Sequence, residues 1–182
     1  MNDTDAFLVN WPGRIVFGVG KLATLGEEVR ALGGRHVLVV TTADLVRLGV
    51  VDHAERILKD AGLVTTRFAG VQPDPSCDDV DRAALDVRRS DADAIVALGG
   101  GSAIDFAKAL SAAATHEGPI WDYVTYTAAS AKPLTGALLP LVAVPTTAGT
   151  GSEVSQGSVL DNPRLEMKAA LLSPRMYPRV AI

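Results

Sequence analysis

The stretch "DAIVALGGGSAIDFAKALSAAA", residues 93–114, decides how the chain is read. Its opening "DAIVAL" (93–98) is an apolar run of the kind presented by a strand covered on both faces. Gly99, Gly100 and Gly101 follow, and Ser102 then opens a segment with the composition of a helix. In an open parallel sheet, ligands sit beyond the carboxyl ends of the strands. Free N–H groups at a helix start favour an anion there, and glycine lets the backbone approach it without a Cβ in the way. The spacing is neither G-x-G-x-x-G nor a Walker loop. Ser102 with Asp105 is also a capping pattern, so the stretch alone serves a capped turn as well as a phosphate cradle.

Outward from this junction the pattern repeats. "RIVF" (14–17), "HVLVVT" (36–41), "VTTRF" (64–68) and "LPLVAVP" (139–145) read as strands. Between them, Leu22, Leu25, Val29 and Leu32, and then Ala54, Ile57, Leu58 and Ala61, recur at helical spacing. Residues 76–89 have the strongest local helix signals. Ser76 is the expected N-cap with Asp79 three residues on, acids crowd the first turn, and Arg88–Arg89 occupy the last. Successive β-α units of this kind predict a parallel sheet with right-handed crossovers. Residues 117–133 read as irregular, and the tail predicts a β-hairpin around Asp161-Asn162-Pro163. "RVAI" (179–182) reads as a final strand, with a frayed edge position as one option.

With 182 residues, 48% of them hydrophobic and 21% charged, the chain suits one globular domain with a real core. A net charge of −4 and the absence of any Lys/Arg block argue against a nucleic-acid surface. "ALLPLVAVP" is too short to span a bilayer, and the opening residues lack signal-peptide character, so a cytoplasmic protein without membrane contact is expected. The single Cys77 admits no internal disulfide and reads as a cap-region or surface thiol.

A second polar strand end appears at "PTTAGTGSEVS" (145–155), able to contact ribose, phosphate or base, or to be a plain loop capped at Thr150 or Ser152. Two such ends in one parallel domain favour a dinucleotide cleft over either alone. "GGGSAIDFAK" together with "PTTAGTGSEV" resembles the paired signatures of the iron-containing (group III) alcohol dehydrogenase family. "GRIVFGVGKLATLGEEV", "VQPDPS" and "KAALLSPRMYPRVAI" are similar to further stretches of that family in the right order.

The resemblance implies a Rossmann-like α/β fold: a parallel sheet flanked by helices with a hairpin near the C-terminus, as in the N-terminal domain of dehydroquinate synthase. It implies interconversion of a small alcohol with an aldehyde or ketone, using NAD or NADP and an Fe²⁺ or Zn²⁺ ion as Lewis acid. Gly99, Gly100, Gly101 and Ser102 would lie along the pyrophosphate with Asp105 beside the cofactor. Thr146 and Thr147 would face the adenosine side with Thr150 in the same loop, Ser155 would line the cleft, and Lys168 would contact a ribose. Lys108 belongs to the motif, but a helix-surface charge is an equal reading.

Two positions depart from the family pattern. Thr42 stands where NAD-preferring members carry Asp, which leaves NAD or NADP open with Asp44 nearby, and Asp74 stands where many relatives have Asn. The family's metal ligands begin with an Asp-x-x-x-His pair. His36, His53 and His116 have Leu32, Gly49 and Ala112 four residues before them, so no catalytic or metal-ligating residue is assigned in this chain. Residues 1–182 are therefore expected to be the NAD(P)-binding domain. The all-helical metal domain would be absent, and the full-length form would be a homo-oligomer. A stand-alone nucleotide-binding module without catalytic activity is the alternative.

Overall fold

A computed structural model describes residues 13–125 and 131–182, so residues 126–130 of the expected irregular stretch and the opening residues 1–12 lie outside the description. Six parallel strands form one sheet in the order β1-β8-β5-β4-β2-β3. They are β1 (Arg14–Ile15), β2 (His36–Val40), β3 (Val64–Phe68), β4 (Ala94–Gly99), β5 (Leu141–Pro145) and β8 (Val180–Ala181). Antiparallel β6 (Gly157–Asn162) and β7 (Met167–Leu172) make the anticipated hairpin. The helices are α1 (Leu25–Ala31), α2 (Ala43–Arg47), α3 (Val50–Asp60), α4 (Cys77–Arg89) and α5 (Gly101–Thr115).

The continuous apolar runs are explained by burial on both faces. Val37, Val39, Ala94, Val96, Leu98, Val142 and Val144 point to one side, with Leu25 and Val29 of α1 and Val51, Ala54 and Leu58 of α3 packed on them. Leu38, Val40, Ile95, Ala97, Leu141 and Ala143 point to the other, beneath α4 and α5. The period-two alternation is intact within each run, although hydrophobicity itself does not alternate. Phe68 at the end of β3 stacks on Phe106 of α5 with ring centroids 5.1 Å apart.

Helix α4 begins as its sequence dictates: the Ser76 Oγ accepts from the Asp79 N–H at 3.1 Å. Its hydroxyl donates to Asp79 Oδ2 at 2.8 Å, so the reciprocal half of the capping box goes to the side chain. Cys77 is in the cap region but is buried rather than on the surface, and burial pushes its thiol up to about 11. That makes it a poor nucleophile.

Several expectations are corrected. The first helical stretch is divided into a 3-10 turn over Lys21–Thr24 and a short α1. Residues 179–182 do not fray at an edge, because β8 pairs with β1 on one side and β5 on the other. The capping pattern of Ser102 and Asp105 does not form. Gly99 closes β4, Gly100 is the N-cap without a side-chain bond, and Gly101 is already helical. Similarly, Gly151 in the left-handed region heads the turn Ser152–Val154, not Thr150 or Ser152.

Lys108 is not a surface charge, with only 1% of its surface exposed. Its Nζ donates to Ser155 O (2.8 Å), Ser155 Oγ (3.1 Å) and Gly157 O (2.8 Å), fastening α5 to the start of β6. Three acceptors suit a three-donor ammonium, yet burial pulls its pKa down to about 8, against the nearby Asp105 and Glu153 charges. Since the folded value lies below the unfolded 10.5, the unfolded chain binds the extra proton between those values and stability rises with pH across that window. The rise should reach at most about 3 kcal/mol. Lys108→Met should destabilise the chain at pH 7 by roughly 2 kcal/mol, through two orphaned carbonyls. Denaturant unfolding of both proteins from pH 7 to 10.5 should show the wild-type advantage growing, and a pH-independent difference would refute this role.

Candidate cofactor-binding cleft

Chain order reverses at one place in the sheet. From β2 the chain moves outward to β3, and from β4 it moves to β5 on the other side. The carboxyl ends of neighbouring β2 and β4 therefore flank the crevice in which doubly wound folds bind ligands. A cleft of about 510 Å³ opens there, between Thr42 and α2 on one side and Gly100, Gly101 and Ser102 on the other. Val71, Gln72 and Pro73 form a third wall.

The β4 side depends on missing side chains. A Cβ on Gly99 would stand 2.6 Å from the Ala103 methyl. One on Gly100 would meet Thr147 Oγ1 at 3.2 Å, and one on Gly101 would meet Thr150 Cβ and Cγ2 at 3.2 Å. The two strand-end loops thus touch through glycine backbone, and the Thr146 N–H donates to Gly99 O at 3.0 Å. The Gly100 carbonyl accepts from Ala103 and Ile104, both at 3.1 Å, which closes the first turn. Among the described residues, the Gly101 and Ser102 N–H groups have no partner, as expected for the first positions of a helix. A cradle without Cβ atoms, two free N–H groups and the dipole of a 15-residue helix suit a phosphate anion.

The β2 side is shaped by a helix that periodicity does not reveal. Thr42 Oγ1 accepts from the Leu45 N–H at 3.5 Å as the N-cap of α2, and Thr42 bridges Gly70. Leu45 and Val46 are half-buried against the core, while Asp44 and Arg47 remain on the cleft side as an ion pair.

Of the residues expected at a cofactor, Thr42, Gly100, Gly101, Ser102 and Thr147 line this one cleft. Thr150 packs against Gly101, and Thr146 with Gly99 ties the two loops together. Four others lie apart from the lining. Asp105 faces the hairpin, accepting from the Val159 N–H at 3.0 Å through Oδ2. Its carboxyl is raised by burial, a shift opposed by that bond and by Lys108 and Ser152. Ser155 serves Lys108. Asp74 and Lys168 form an ion pair with one another, and that bond raises Lys168. Asp74 sits at φ 52°, a left-handed conformation that Asp tolerates better than most residues.

His36 and His116 make structural contacts, and His53 is exposed. His36 Nε2 meets Thr66 Oγ1 at 2.6 Å, and His116 Nε2 accepts from the Gly136 N–H at 3.2 Å. The His116 proton is then on Nδ1, directed at Ala112 O 3.2 Å away. Among the described residues, no three His, Cys, Asp or Glu side chains converge as a metal site. Among the same residues, no helix is long and apolar enough to cross a membrane.

The family model of iron-containing alcohol dehydrogenase matches residues 12–182. The chain is 40% identical over 157 residues to a choline dehydrogenase of Bacillus subtilis (strain 168), covering 86% of this chain and 39% of that protein. It is 39% identical over 168 residues to a 1,3-propanediol dehydrogenase of Klebsiella pneumoniae, covering 91% and 42%. The structure of a sulfoacetaldehyde reductase from Bifidobacterium kashiwanohense in complex with NAD+ superposes with a TM-score of 0.89 at 34% identity, over 97% of this chain and 46% of that one. This chain therefore spans about two fifths of the length of the curated relatives it matches. On the extent of the family match, the chain belongs to the iron-containing alcohol dehydrogenases.

Proposed function

We propose that residues 1–182 are the NAD(P)-binding half of a metal-dependent alcohol dehydrogenase that interconverts a small alcohol with its aldehyde or ketone. The observation that carries this reading is the cradle at the start of α5. Two partnerless N–H groups, on a loop where a Cβ would collide, stand at the switch point of the sheet. The family match and the NAD+ bound by one structural relative support it.

In this reading the Gly101 and Ser102 amides hold the pyrophosphate, with Gly99 and Gly100 letting Ala103 and Thr147 pack against the start of α5. Thr146, Thr147 and Thr150 border the adenosine side, and Thr42 stands at the far wall toward the ribose. Asp105 and Ser155 act from behind, by fixing α5 and the 152–157 segment to the hairpin. Lys168 reaches a ribose while sharing its charge with Asp74. The bound nicotinamide supplies or accepts the hydride. An Fe²⁺ or Zn²⁺ ion, the second domain that holds it, a homo-oligomeric full-length form and a cytoplasmic setting belong to the same proposal.

Titration of the 182-residue chain with NADH, followed by nicotinamide fluorescence, should give saturable binding. Gly101→Val, whose side chain would press on Thr150 and Ser152, should displace the cradle amides and weaken binding at least about tenfold, the equivalent of one charge-assisted hydrogen bond. The far-UV CD spectrum should stay unchanged, and equal binding by both proteins would overturn the cradle assignment.

The same chain, mixed with NAD+, 1,3-propanediol or butanol and either Fe²⁺ or Zn²⁺, should bind cofactor without forming NADH. Metal-dependent alcohol oxidation by these residues alone would show that no second domain is required.

A further inference from the structure

We infer that Lys108 is a positioning residue for the dinucleotide: from behind the cleft its ammonium holds the loop bearing Thr147 and Thr150 against the start of α5, and loss of its proton weakens cofactor binding. The inference rests on the cofactor reading above and adds how the chain itself tunes the affinity of that site.

Lys108 is not among the residues that line the cleft, so its effect on binding passes through its partners. Those partners are Ser155 and Gly157, which lead from the threonine loop into the hairpin. At the near end of the same segment, the Ser152 N–H donates to Thr150 Oγ1 at 3.3 Å. A Cβ on Gly101 would meet Thr150 at 3.2 Å and Ser152 Oγ at 3.3 Å, so both side chains rest on the residue that carries one of the cradle amides. Residues 150–157 therefore form a short span. One end sits on the first turn of α5, and the other is tied to Lys108 on the same helix.

Asp105 ties that helix to the hairpin separately. Its Oδ2 accepts from the Val159 N–H at 3.0 Å, and its backbone carbonyl accepts from Ser158 Oγ at 2.8 Å. These bonds keep α5 and β6 together whether Lys108 is charged or neutral. The proton on Lys108 thus acts on the span between Thr150 and Gly157 and not on the fold as a whole.

An ammonium with three oxygen acceptors makes three charge-assisted hydrogen bonds, each about twice as strong as a neutral one. The neutral amine keeps two N–H donors for the carbonyls of Ser155 and Gly157, and the Ser155 hydroxyl has to turn round and donate to the nitrogen. The contact survives, but the span is held less firmly. Asp105 from its own helix and Glu153 from the turn Ser152–Val154 face the ammonium with negative charge. Arg175, Tyr177 and Arg179, from the stretch that leads into β8, share a small cavity with it on the other side. Burial outweighs the two carboxylates and pulls the ammonium down to about 8.

The test is NADH titration of the 182-residue chain at a series of pH values on both sides of that point, followed by nicotinamide fluorescence. Affinity should fall about fivefold as pH rises, beginning near 8, because the bound cofactor favours the charged form of Lys108. The stability of the free chain rises over the same window, so a loss of affinity through unfolding would run in the opposite direction. Lys108→Met should bind NADH about fivefold more weakly at pH 7 and show no such fall. Asp105→Asn keeps an acceptor for the Val159 N–H and removes a charge that favours the ammonium, so its fall should begin at a lower pH.

The wild-type profile requires no variant to fold. A flat profile in the wild type, a fall of the same size in Lys108→Met, or an unmoved onset in Asp105→Asn would each overturn the positioning role and leave the cofactor reading in place. Failure of NADH to bind at any pH would overturn that reading, and this inference with it.

Discussion

Strands β4 and β5 run side by side in register until Gly99 meets Pro145, and the glycine triplet lets the loops beyond them share one space. The clearances are tight. Thr147 and Thr150 occupy the places where Gly100 and Gly101 would otherwise carry side chains, and Ala103 occupies that of Gly99. Because the loops touch, the Thr146 amide reaches the Gly99 carbonyl, α5 begins without a side-chain cap, and its first amides are left facing the cleft. The absent cap and the proposed anion site are the same feature. A Ser or Asp side chain bonded to those amides would stabilise the helix and occupy the place proposed for the ligand.

Much of this was legible in the sequence because local chemistry and tertiary demand agree. Residues 64–68 form β3 as read, Ser76 caps α4, and the alternation of strands and helices yields the parallel sheet. The glycine junction was found but not decided, since its spacing serves two purposes and the Thr-rich loop that packs against it lies nearly fifty places further along the chain. Short elements were lost for a different reason. Helix α2 has five residues, fewer than two turns, and a hydrophobic period cannot be counted over so short a span.

Lys108 illustrates the opposite failure. A lysine in a helix is nearly always a solvated charge, and no property of its neighbours in sequence says otherwise. Its burial is created by residues 155–157, which bring three oxygens to one point. Asp105, one turn earlier, holds the Val159 amide from the same helix face. Both belong to contacts that are close in space and about fifty residues apart in the chain, beyond the reach of periodicity.

Those two residues also explain why the motif around α5 extends to Lys108. "GGGSAIDFAK" serves two faces of one helix. Its first four residues shape the cleft, and Asp105 and Lys108, at i,i+3 spacing, face the segment that leads into the hairpin. That segment follows directly from the loop bearing Thr147 and Thr150, the same threonines that fill the glycine cradle from the other side. Fastening α5 to residues 155–159 therefore holds the distance between helix start and threonine loop, on which the open N–H groups depend. A buried ammonium is an expensive fastener, but it is directional: three fixed acceptors define one position for the helix, where an apolar contact would allow it to slide.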